Sequence, residues 1–206
     1  MILHTLGRLL HAWRKLQTLC LGHYWRRRFS SCGERVSIGE GFQAYAPERI
    51  TIGRDVIIAK RVTLRAMTTY PWAQPPQEFS PSITLHDGCF INNGSQIVAI
   101  DRVTIGRNVM IAENCFIADN NHGWANPEAP IKHQPLTSKG PVTIGDDSWL
   151  GANVVVAAGV SIGRHCVIGA NSVVTRDIPD HSMAAGAPAR IIKQWNPETN
   201  EWAPSP

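Results

Sequence analysis

An aliphatic residue recurs at every sixth position between residues 142 and 175, and a small residue usually follows it. The aliphatic positions are Ile144, Leu150, Val156, Ile162, Ile168 and Val174, followed by Gly145, Gly151, Ala157, Gly163, Gly169 and Thr175. A period of six fits neither one face of a helix nor the alternation of a single strand. Short repeats of this kind stack so that each buries its apolar side chain against its neighbours. The stretch therefore predicts an all-β solenoid.

The same phase runs back, with breaks, to about residue 36 and groups the aliphatic positions in threes. The groups are 52/58/64, 85/91/97, 105/111/117, 144/150/156 and 162/168/174. The breaks are residues 67–82, a two-residue slip at 99–102, and residues 119–141, and each lies between two groups. Three hexads per turn make a triangular prism, so we expect all three breaks along one edge. Each buried aliphatic contributes about 1.5–3 kcal/mol, and a charge at Leu150 or Ile168 should be among the most damaging substitutions.

The two ends of the chain lack the repeat. Within residues 1–35, apolar side chains spaced alternately four and three apart predict an amphipathic helix over residues 2–20, followed by a basic linker. Such a helix packs against the solenoid or a second subunit, or it lies on an anionic membrane surface. The solenoid is expected to span residues 36–182. The sequence of the following segment, residues 183–206, predicts a turn, a short helix at 184–195 and a loose tail.

Charge and hydropathy exclude several classes of protein. The net charge is +4, but residues 1–35 carry +6 and the remainder −2, so a uniform basic surface for nucleic acid is absent. No stretch reaches the roughly 18 apolar residues of a membrane span. Arg8, Arg14 and Lys15 interrupt the N-terminal apolar run, which makes it a poor signal peptide. We therefore expect a cytoplasmic protein, with peripheral contact at the inner membrane face as the alternative for its N-terminal helix.

The five cysteines are irregularly spaced and include no CxxC pair, so they predict neither a disulfide framework nor a zinc site. Cys89, Cys115 and Cys166 each lie four residues after a repeat aliphatic. That position is occupied by small or slim residues elsewhere in the repeat. These cysteines are therefore expected to be small buried side chains.

Departures from the repeat are candidate functional positions. Arg65, His86 and Asn92 replace the small residue after an aliphatic. Arg65 and His86 are expected to be surface residues, whereas Asn92 is open to a structural role at a tight corner or a functional one. His122 lies in the polar stretch 119–124, a few residues after the last regular strand before a break. Histidine is the residue type most suited to general base catalysis near neutral pH, so His122 is the best candidate base.

The hexads, the AspAsnAsnHisGly stretch at 119–123 and the AlaAlaGlyAlaProAlaArg stretch at 184–190 together resemble the hexapeptide-repeat acyltransferases. The resemblance covers about residues 36–193. It is greatest to the maltose/galactoside O-acetyltransferase-like branch and to the related sugar O-acetyltransferases of cell-surface polysaccharide synthesis. It implies a left-handed parallel β-helix, a homotrimer with active sites between subunits, acetyl-CoA as acyl donor, no metal, and a sugar-containing acceptor.

The resemblance also implies roles for individual residues. His122 matches the catalytic base, with Asn121 as an oxyanion donor and Asp119 as the residue that orients the imidazole. The expected acceptor-binding residues are Asn92, Asp101, Glu113 and Trp124, and Glu113 is also a weaker candidate for orienting His122. Relatives carry an acidic residue where this chain has Ile100 beside Asp101, so acceptor recognition is expected to differ. The expected donor-binding residues are Trp149 in the pantetheine channel, Gly151, Ala170 and Thr175 along the CoA arm, and Arg176 and Arg190 near its phosphates.

The expected reaction is acetyl transfer from acetyl-CoA to a sugar hydroxyl in polysaccharide or glycolipid biosynthesis. N-acetylation of an amino sugar or antibiotic and a non-catalytic binding scaffold remain alternatives. A γ-type carbonic anhydrase is disfavoured because His86, His122 and His133 lack the close histidine pair of that zinc site. The loop 67–82 either shapes the acceptor pocket through Tyr70 and Trp72 or is an exposed decoration. The acceptor, the length of the acyl group and the choice between oxygen and nitrogen stay open.

Overall fold

Residues 22–204 are the part of the chain that the computed structural model describes. After a short helix at residues 22–26, the chain winds through three parallel sheets and adds one strand to each sheet in every turn. Trp25 and Phe29 pack with Phe42 at the start of this coil. No helix within this range is long and apolar enough to cross a membrane. The helix predicted for residues 2–20 lies outside the described residues.

The strands are numbered in chain order. The first sheet contains β1 (Ser31–Cys32), β4 (Ile50–Ile52), β9 (Ser82–Leu85), β12 (Arg102–Ile105), β17 (Val142–Ile144) and β20 (Ser161–Ile162). The second contains β2 (Ser37–Ile38), β5 (Ile57–Ile58), β10 (Phe90–Ile91), β13 (Met110–Ile111), β18 (Trp149–Leu150), β21 (Val167–Ile168), β23 (Ser182–Gly186), β24 (Ala189–Asn196) and β25 (Glu201–Pro204). The third contains β3 (Gln43–Tyr45), β6 (Thr63–Ala66), β11 (Gln96–Ala99), β14 (Phe116–Ala118), β19 (Val155–Val156) and β22 (Val173–Val174). This order gives a triangular coil of three strands per turn.

The strand register confirms the grouping of the repeat aliphatics in threes. In the first sheet Ile52, Leu85, Ile105, Ile144 and Ile162 pair in sequence, and the second and third sheets align the other two members of each group in the same way. All of these side chains are at most 2% exposed. The hexad phase therefore corresponds to a single core column beneath each sheet.

The chain passes three edges in each turn. It crosses the first edge between the first and second sheets, and the middle edge between the second and third. The return edge leads from the third sheet to the first sheet of the next turn and comprises residues 46–49, 67–81, 100–101, 119–141, 157–160 and 175–177. On the return edge β7 (Thr69–Tyr70) pairs with β8 (Gln77–Glu78), and β15 (Asn121–His122) pairs with β16 (Leu136–Thr137), each as an antiparallel hairpin. The prediction that all three breaks share one edge is confirmed.

The prediction of a short helix at residues 184–195 is wrong. β23 pairs parallel with β21 and so continues the second sheet, β24 folds back antiparallel onto β23, and β25 adds a further antiparallel strand. The tail expected to be loose thus forms a strand, in which Trp202 packs against Trp195 with ring centroids 5.7 Å apart. Sheet extension satisfies the backbone groups at the exposed end of the coil, and this outweighs the local preference for a helix.

Three of the cysteines are buried side chains, as expected. Cys89, Cys115 and Cys166 are at most 1% exposed, and their thiols donate to backbone oxygens. Burial raises the pKa of the Cys89 thiol to about 12 and also raises the pKa of Cys115 and Cys166. A thiol with a raised pKa is a poor nucleophile, so these residues contribute to packing.

Acidic side chains on the first edge connect successive turns. Asp146 accepts hydrogen bonds from the backbone N of Arg107 at 2.7 Å and from its Nε at 3.1 Å, and Asp87 makes the same contacts with Arg54. These bonds, chiefly the one from the backbone amide, hold the pKa of Asp146 below its ordinary value of 3.8. A carboxylate with a lowered folded-state pKa stabilises the fold above its unfolded pKa, and this stabilisation is lost as the pH falls through the folded pKa.

We therefore expect Asp146→Asn to lower the melting temperature at pH 7, by an amount that shrinks as the pH falls from about 5 to about 2. Thermal unfolding of both proteins across this range measures the difference. Glu48→Gln is the control, since Glu48 is an exposed acid with no hydrogen bond or ion pair recorded for its side chain within residues 22–204. A difference for Asp146→Asn that does not change with pH would show that its charge contributes nothing.

Candidate active site

His122 is held on a hairpin that leaves the coil at the return edge. The chain leaves β14 at Ala118, and His122 then pairs with Leu136 while Asn121 pairs with Thr137. Gly123 closes the hairpin by donating its N–H to the Pro135 carbonyl at 2.9 Å. A Cβ at this position would collide with that carbonyl oxygen, so the glycine allows the close approach of the two strands. The catalytic candidate thus lies on a paired strand close to the coil, with its side chain exposed.

A cleft of about 980 Å³ opens beside this hairpin, lined by His122, Asn121, Trp124, His133 and Lys139 among other residues. Trp124 is 77% exposed. Gln134 is a buried residue in the wall of this cleft, where its side-chain amide accepts from the Asn126 N–H and donates to the carbonyls of Asn126 and Ala129. No sequence pattern marks Gln134, because its role is to satisfy the backbone of an irregular loop.

Tyr70 from the other hairpin contacts the imidazole of His122. The Tyr70 hydroxyl lies 3.3 Å from His122 Nδ1 and donates to the Lys132 carbonyl at 2.8 Å. The two rings meet edge to face, with centroids 5.6 Å apart. Tyr70 is only 4% exposed and packs in a small apolar cluster with Ala73, Ile100 and Leu136. The loop 67–82 therefore packs behind the His122 hairpin, while Trp72 at its tip stays 58% exposed.

Asp119 occupies a different place from the one expected for a residue that orients His122. It is fully buried, and its carboxylate accepts from the backbone N–H groups of Ile100 and Asp101 at 2.9 and 2.8 Å. Asn120 Nδ2 supplies a third hydrogen bond at 3.1 Å. Within residues 22–204 no hydrogen bond joins Asp119 to His122. Asp119 fixes the tight turn at Ile100 and Asp101, which is the two-residue slip seen in the repeat, and Tyr70 occupies the position next to Nδ1.

The middle edge carries a second group of candidate residues. Asn92 Nδ2 donates to Glu113 Oε1 at 2.8 Å, and Asn92 Oδ1 accepts from the Asn93 N–H. Further along the same edge Gly151 lies against Ala170, and a Cβ at Gly151 would meet the Ala170 backbone N at 2.7 Å. Asn92 and Glu113 are thus neighbours, but they lie on the middle edge whereas His122 lies on the return edge.

The remaining candidates are distributed over two regions. Trp149 projects from the second sheet with 49% of its surface exposed, paired with Met110 and Val167 of the adjacent strands. Thr175, Arg176 and Asp101 are exposed on the return edge. Arg190 is exposed on β24. Among residues 22–204 no three His, Cys, Asp or Glu side chains are arranged to hold a metal ion.

Comparisons with known proteins bear on the repeat and on the family of the chain. The sequence profile of the family "Bacterial transferase hexapeptide (six repeats)" matches residues 141–176. A putative lipopolysaccharide biosynthesis O-acetyl transferase of Escherichia coli is 42% identical over 127 residues, which are 58% of this chain and 64% of that protein. A putative acetyltransferase of Schizosaccharomyces pombe is 31% identical over 151 residues, 69% of this chain and 72% of that protein.

A solved structure shares the fold. The N-acyltransferase AntD of Bacillus cereus superposes with a TM-score of 0.70 at 19% identity, over 87% of this chain and 91% of that chain. Coverage of curated relatives is incomplete, since this chain spans 64%, 49% and 61% of the lengths of three of them. The family profile matches the repeat, and the S. pombe relative is matched over 72% of its length. The chain therefore belongs to the hexapeptide-repeat transferase family.

Proposed function

We propose that this protein is an acetyl-CoA-dependent O-acetyltransferase that modifies a sugar hydroxyl, in polysaccharide or glycolipid biosynthesis. The observation that carries the proposal is the position of His122, exposed on a hairpin at the wall of a cleft of about 980 Å³ in a hexapeptide-repeat coil. The E. coli relative described as a lipopolysaccharide O-acetyl transferase supports a glycan acceptor. We also propose that the coil is left-handed, as the family resemblance implies.

In the proposed reaction Nε2 of His122 removes the proton from the acceptor hydroxyl as its oxygen attacks the thioester carbonyl. The tetrahedral oxyanion that forms is stabilised by hydrogen-bond donors, for which Asn121, exposed on the same cleft, is the candidate. The carbon–sulfur bond then breaks, and the CoA sulfur leaves as the thiol after taking the proton from the imidazolium. The products are the acetyl ester and free CoA, and no metal is required for this balance.

We propose further that the active site is completed by a second subunit of a homotrimer. His122 and Trp124 lie on the return edge, whereas Asn92 and Glu113 lie on the middle edge of the same chain. Two faces of a prism come together when copies associate head to tail around a three-fold axis. The histidine of one subunit would then face the asparagine of its neighbour.

Subunit complementation tests this split site. His122→Ala and Asn92→Ala are each expected to be strongly impaired, because each removes one half of every site. Co-expressed with different tags and purified as mixed trimers, the two variants should recover about a third of wild-type activity, since every trimer that contains both variants keeps one intact site of its three. Mixed trimers without recovered activity would place both residues in a site within one chain.

The proposed donor site uses Trp149, Gly151, Ala170 and Thr175, with Arg176 and Arg190 near the CoA phosphates. Gly151 packs closely against the Ala170 backbone on the middle edge, and the Trp149 ring on the preceding strand is 49% exposed. CoA at 100 times its Kd should stabilise the protein by about 2.7 kcal/mol. Absence of any CoA-dependent shift in thermal unfolding would favour a non-catalytic scaffold.

N-acetylation of an amino sugar is the second reaction that this fold accommodates, since AntD is an N-acyltransferase crystallised with an amino sugar nucleotide and CoA. Matched acceptors that differ only in an amine or a hydroxyl at one carbon separate the two reactions. The proposal expects CoA release with the hydroxyl compounds. Release that requires the amine would replace O-acetylation by N-acetylation.

We propose a cytoplasmic protein with peripheral contact at the inner membrane face. Arg26, Arg27 and Arg28 are exposed next to the N-terminal segment, and basic clusters are attracted to anionic lipid by about 1 kcal/mol per residue. Co-sedimentation with vesicles containing anionic lipid tests this contact. Equal recovery of the protein in the supernatant with neutral and anionic vesicles would exclude it.

A further inference from the structure

The hydroxyl of Tyr70 lies between one ring nitrogen of His122 and a backbone carbonyl. A tyrosine hydroxyl has one proton to donate, and a backbone carbonyl can only accept. The shorter contact of the Tyr70 hydroxyl, at 2.8 Å, is with the Lys132 carbonyl, so its single proton is used there. The Tyr70 oxygen can then only accept from His122 Nδ1, 3.3 Å away. This requires that Nδ1 carry a hydrogen.

The second ring nitrogen is consequently free to act as a base. In a neutral imidazole one nitrogen is a donor and the other an acceptor, so a protonated Nδ1 leaves a lone pair on Nε2. Within residues 22–204 Nε2 of His122 has no hydrogen-bond partner, and the ring lines the cleft. An unconstrained histidine favours the opposite tautomer in water, so an acceptor at Nδ1 is needed to hold the reactive form.

We propose that Tyr70 is a positioning residue that keeps His122 in the Nδ1–H tautomer and so presents the Nε2 lone pair to the acceptor hydroxyl. This inference rests on the proposed function, in which His122 is the base. It assigns to an uncharged side chain from a separate loop the role that a carboxylate has in many catalytic dyads.

The rest of the loop 67–82 fixes Tyr70 against the hairpin. Gln77 makes two reciprocal bonds with the backbone of Leu136, donating to its carbonyl at 3.2 Å and accepting from its N–H at 2.6 Å. The Gln74 N–H donates to the His133 carbonyl at 3.0 Å. Because Leu136 pairs with His122 across the hairpin, these contacts hold both strands relative to Tyr70. The loop is therefore a support for the base.

Nitrogen-15 NMR of the full-length protein reads the tautomer directly. Long-range proton–nitrogen correlations at pH 8 distinguish the two tautomers, and the signals missing from His122→Gln belong to His122. We expect Nδ1–H in the wild type and a shift towards Nε2–H in Tyr70→Phe, which keeps the ring but removes the oxygen. His133 is an internal reference, because its Nδ1 lies 3.0 Å from the Trp72 carbonyl and should keep its hydrogen in both proteins.

Steady-state kinetics provides the functional half of the test. Tyr70→Phe should lower kcat about tenfold, the lower end of the loss seen when partners of positioned histidines are removed at metal sites, with the KM for acetyl-CoA unchanged. Tyr45→Phe is the matched control, since Tyr45 is exposed in the first turn and its hydroxyl contacts Gln43. It should change neither the tautomer nor kcat.

An Nε2–H tautomer of His122 in the wild type would overturn the inference, even if Tyr70→Phe failed to fold. So would a Tyr70→Phe protein with an unchanged tautomer, or one with a changed tautomer and an unchanged kcat. The NMR experiment needs no substrate. A protein without acetyltransferase activity would therefore refute the proposed function while the tautomer still tested the Tyr70 contact.

Discussion

His122→Ala is expected to lower kcat at least about 100-fold, because a positioned general base contributes about 10²–10⁴-fold to proton transfer. The substitution removes the Nε2 lone pair and leaves the proposed donor-binding residues unchanged, so the KM for acetyl-CoA should change little. Initial rates of CoA release at saturating donor and acceptor measure the loss. The fold should persist, since the His122 side chain is exposed and the hairpin is held by backbone pairing and by Gln77.

His86→Ala is the matched control for this experiment. His86 is also exposed and also follows a strand of the coil, but it lies on the first edge, away from the cleft. It should retain wild-type kcat. A His122→Ala protein with the wild-type rate would exclude His122 as the base, whatever the acceptor.

Ile144→Asp is expected to prevent folding of the coil. Ile144 is fully buried and pairs with Ile105 and Ile162 in the column of core residues beneath the first sheet. An unpaired buried charge costs about 3–5 kcal/mol, and the lost apolar burial costs about 1.5–3 kcal/mol more. Their combined effect is comparable with the entire stability of an ordinary domain, about 5–15 kcal/mol. Circular dichroism and the yield of soluble protein measure the outcome.

The adjacent residue provides the control. Thr143 precedes Ile144 on the same strand, β17, but its side chain is exposed. Thr143→Asp therefore places the same charge in water instead of in the core. It should fold and melt within a few degrees of the wild type. Equal effects of the two substitutions would contradict the alternation of buried and exposed side chains along β17. The same contrast is expected for Leu150 and Ile168, which lie in the core column of the second sheet.

The repeat predicted the coil well because every hexad places an aliphatic residue in the same core column. The six-residue phase alone places Ile52, Leu85 and Ile105 at equivalent positions of successive turns, and these residues pair with one another in the first sheet. This works because strand register in a solenoid follows from the spacing between repeats. The C-terminal segment shows the limit of this reasoning. Residues 184–195 have no hexad phase, and their strands depend on pairing with β21 and with β25. Such pairing between separate segments leaves no periodic trace in the sequence.

The repeat also predicted the position of His122, but not the residues that contact it. His122 follows a regular strand, so its place on the return edge could be inferred from the phase, and the shared edge predicted that the loop 67–82 lies nearby. The contact between Tyr70 and His122 could not be inferred, since it joins two irregular loops 52 residues apart. The polar stretch around His122 suggested Asp119 as its partner instead. Burial of Asp119 against the turn at Ile100 and Asp101 explains why proximity in sequence was misleading.

Acceptor-dependent release of CoA by the purified wild-type protein tests directly whether it transfers an acetyl group to a sugar hydroxyl. Acetyl-CoA is incubated with sugars, nucleotide sugars and lipid-linked glycans, the free thiol is followed with time, and the product is examined by NMR. We expect thiol release only with a hydroxyl-bearing glycan, together with one acetyl ester on a sugar oxygen that alkali removes. Absence of acceptor-dependent release across the panel, or an acetyl group found only on nitrogen, would contradict this expectation.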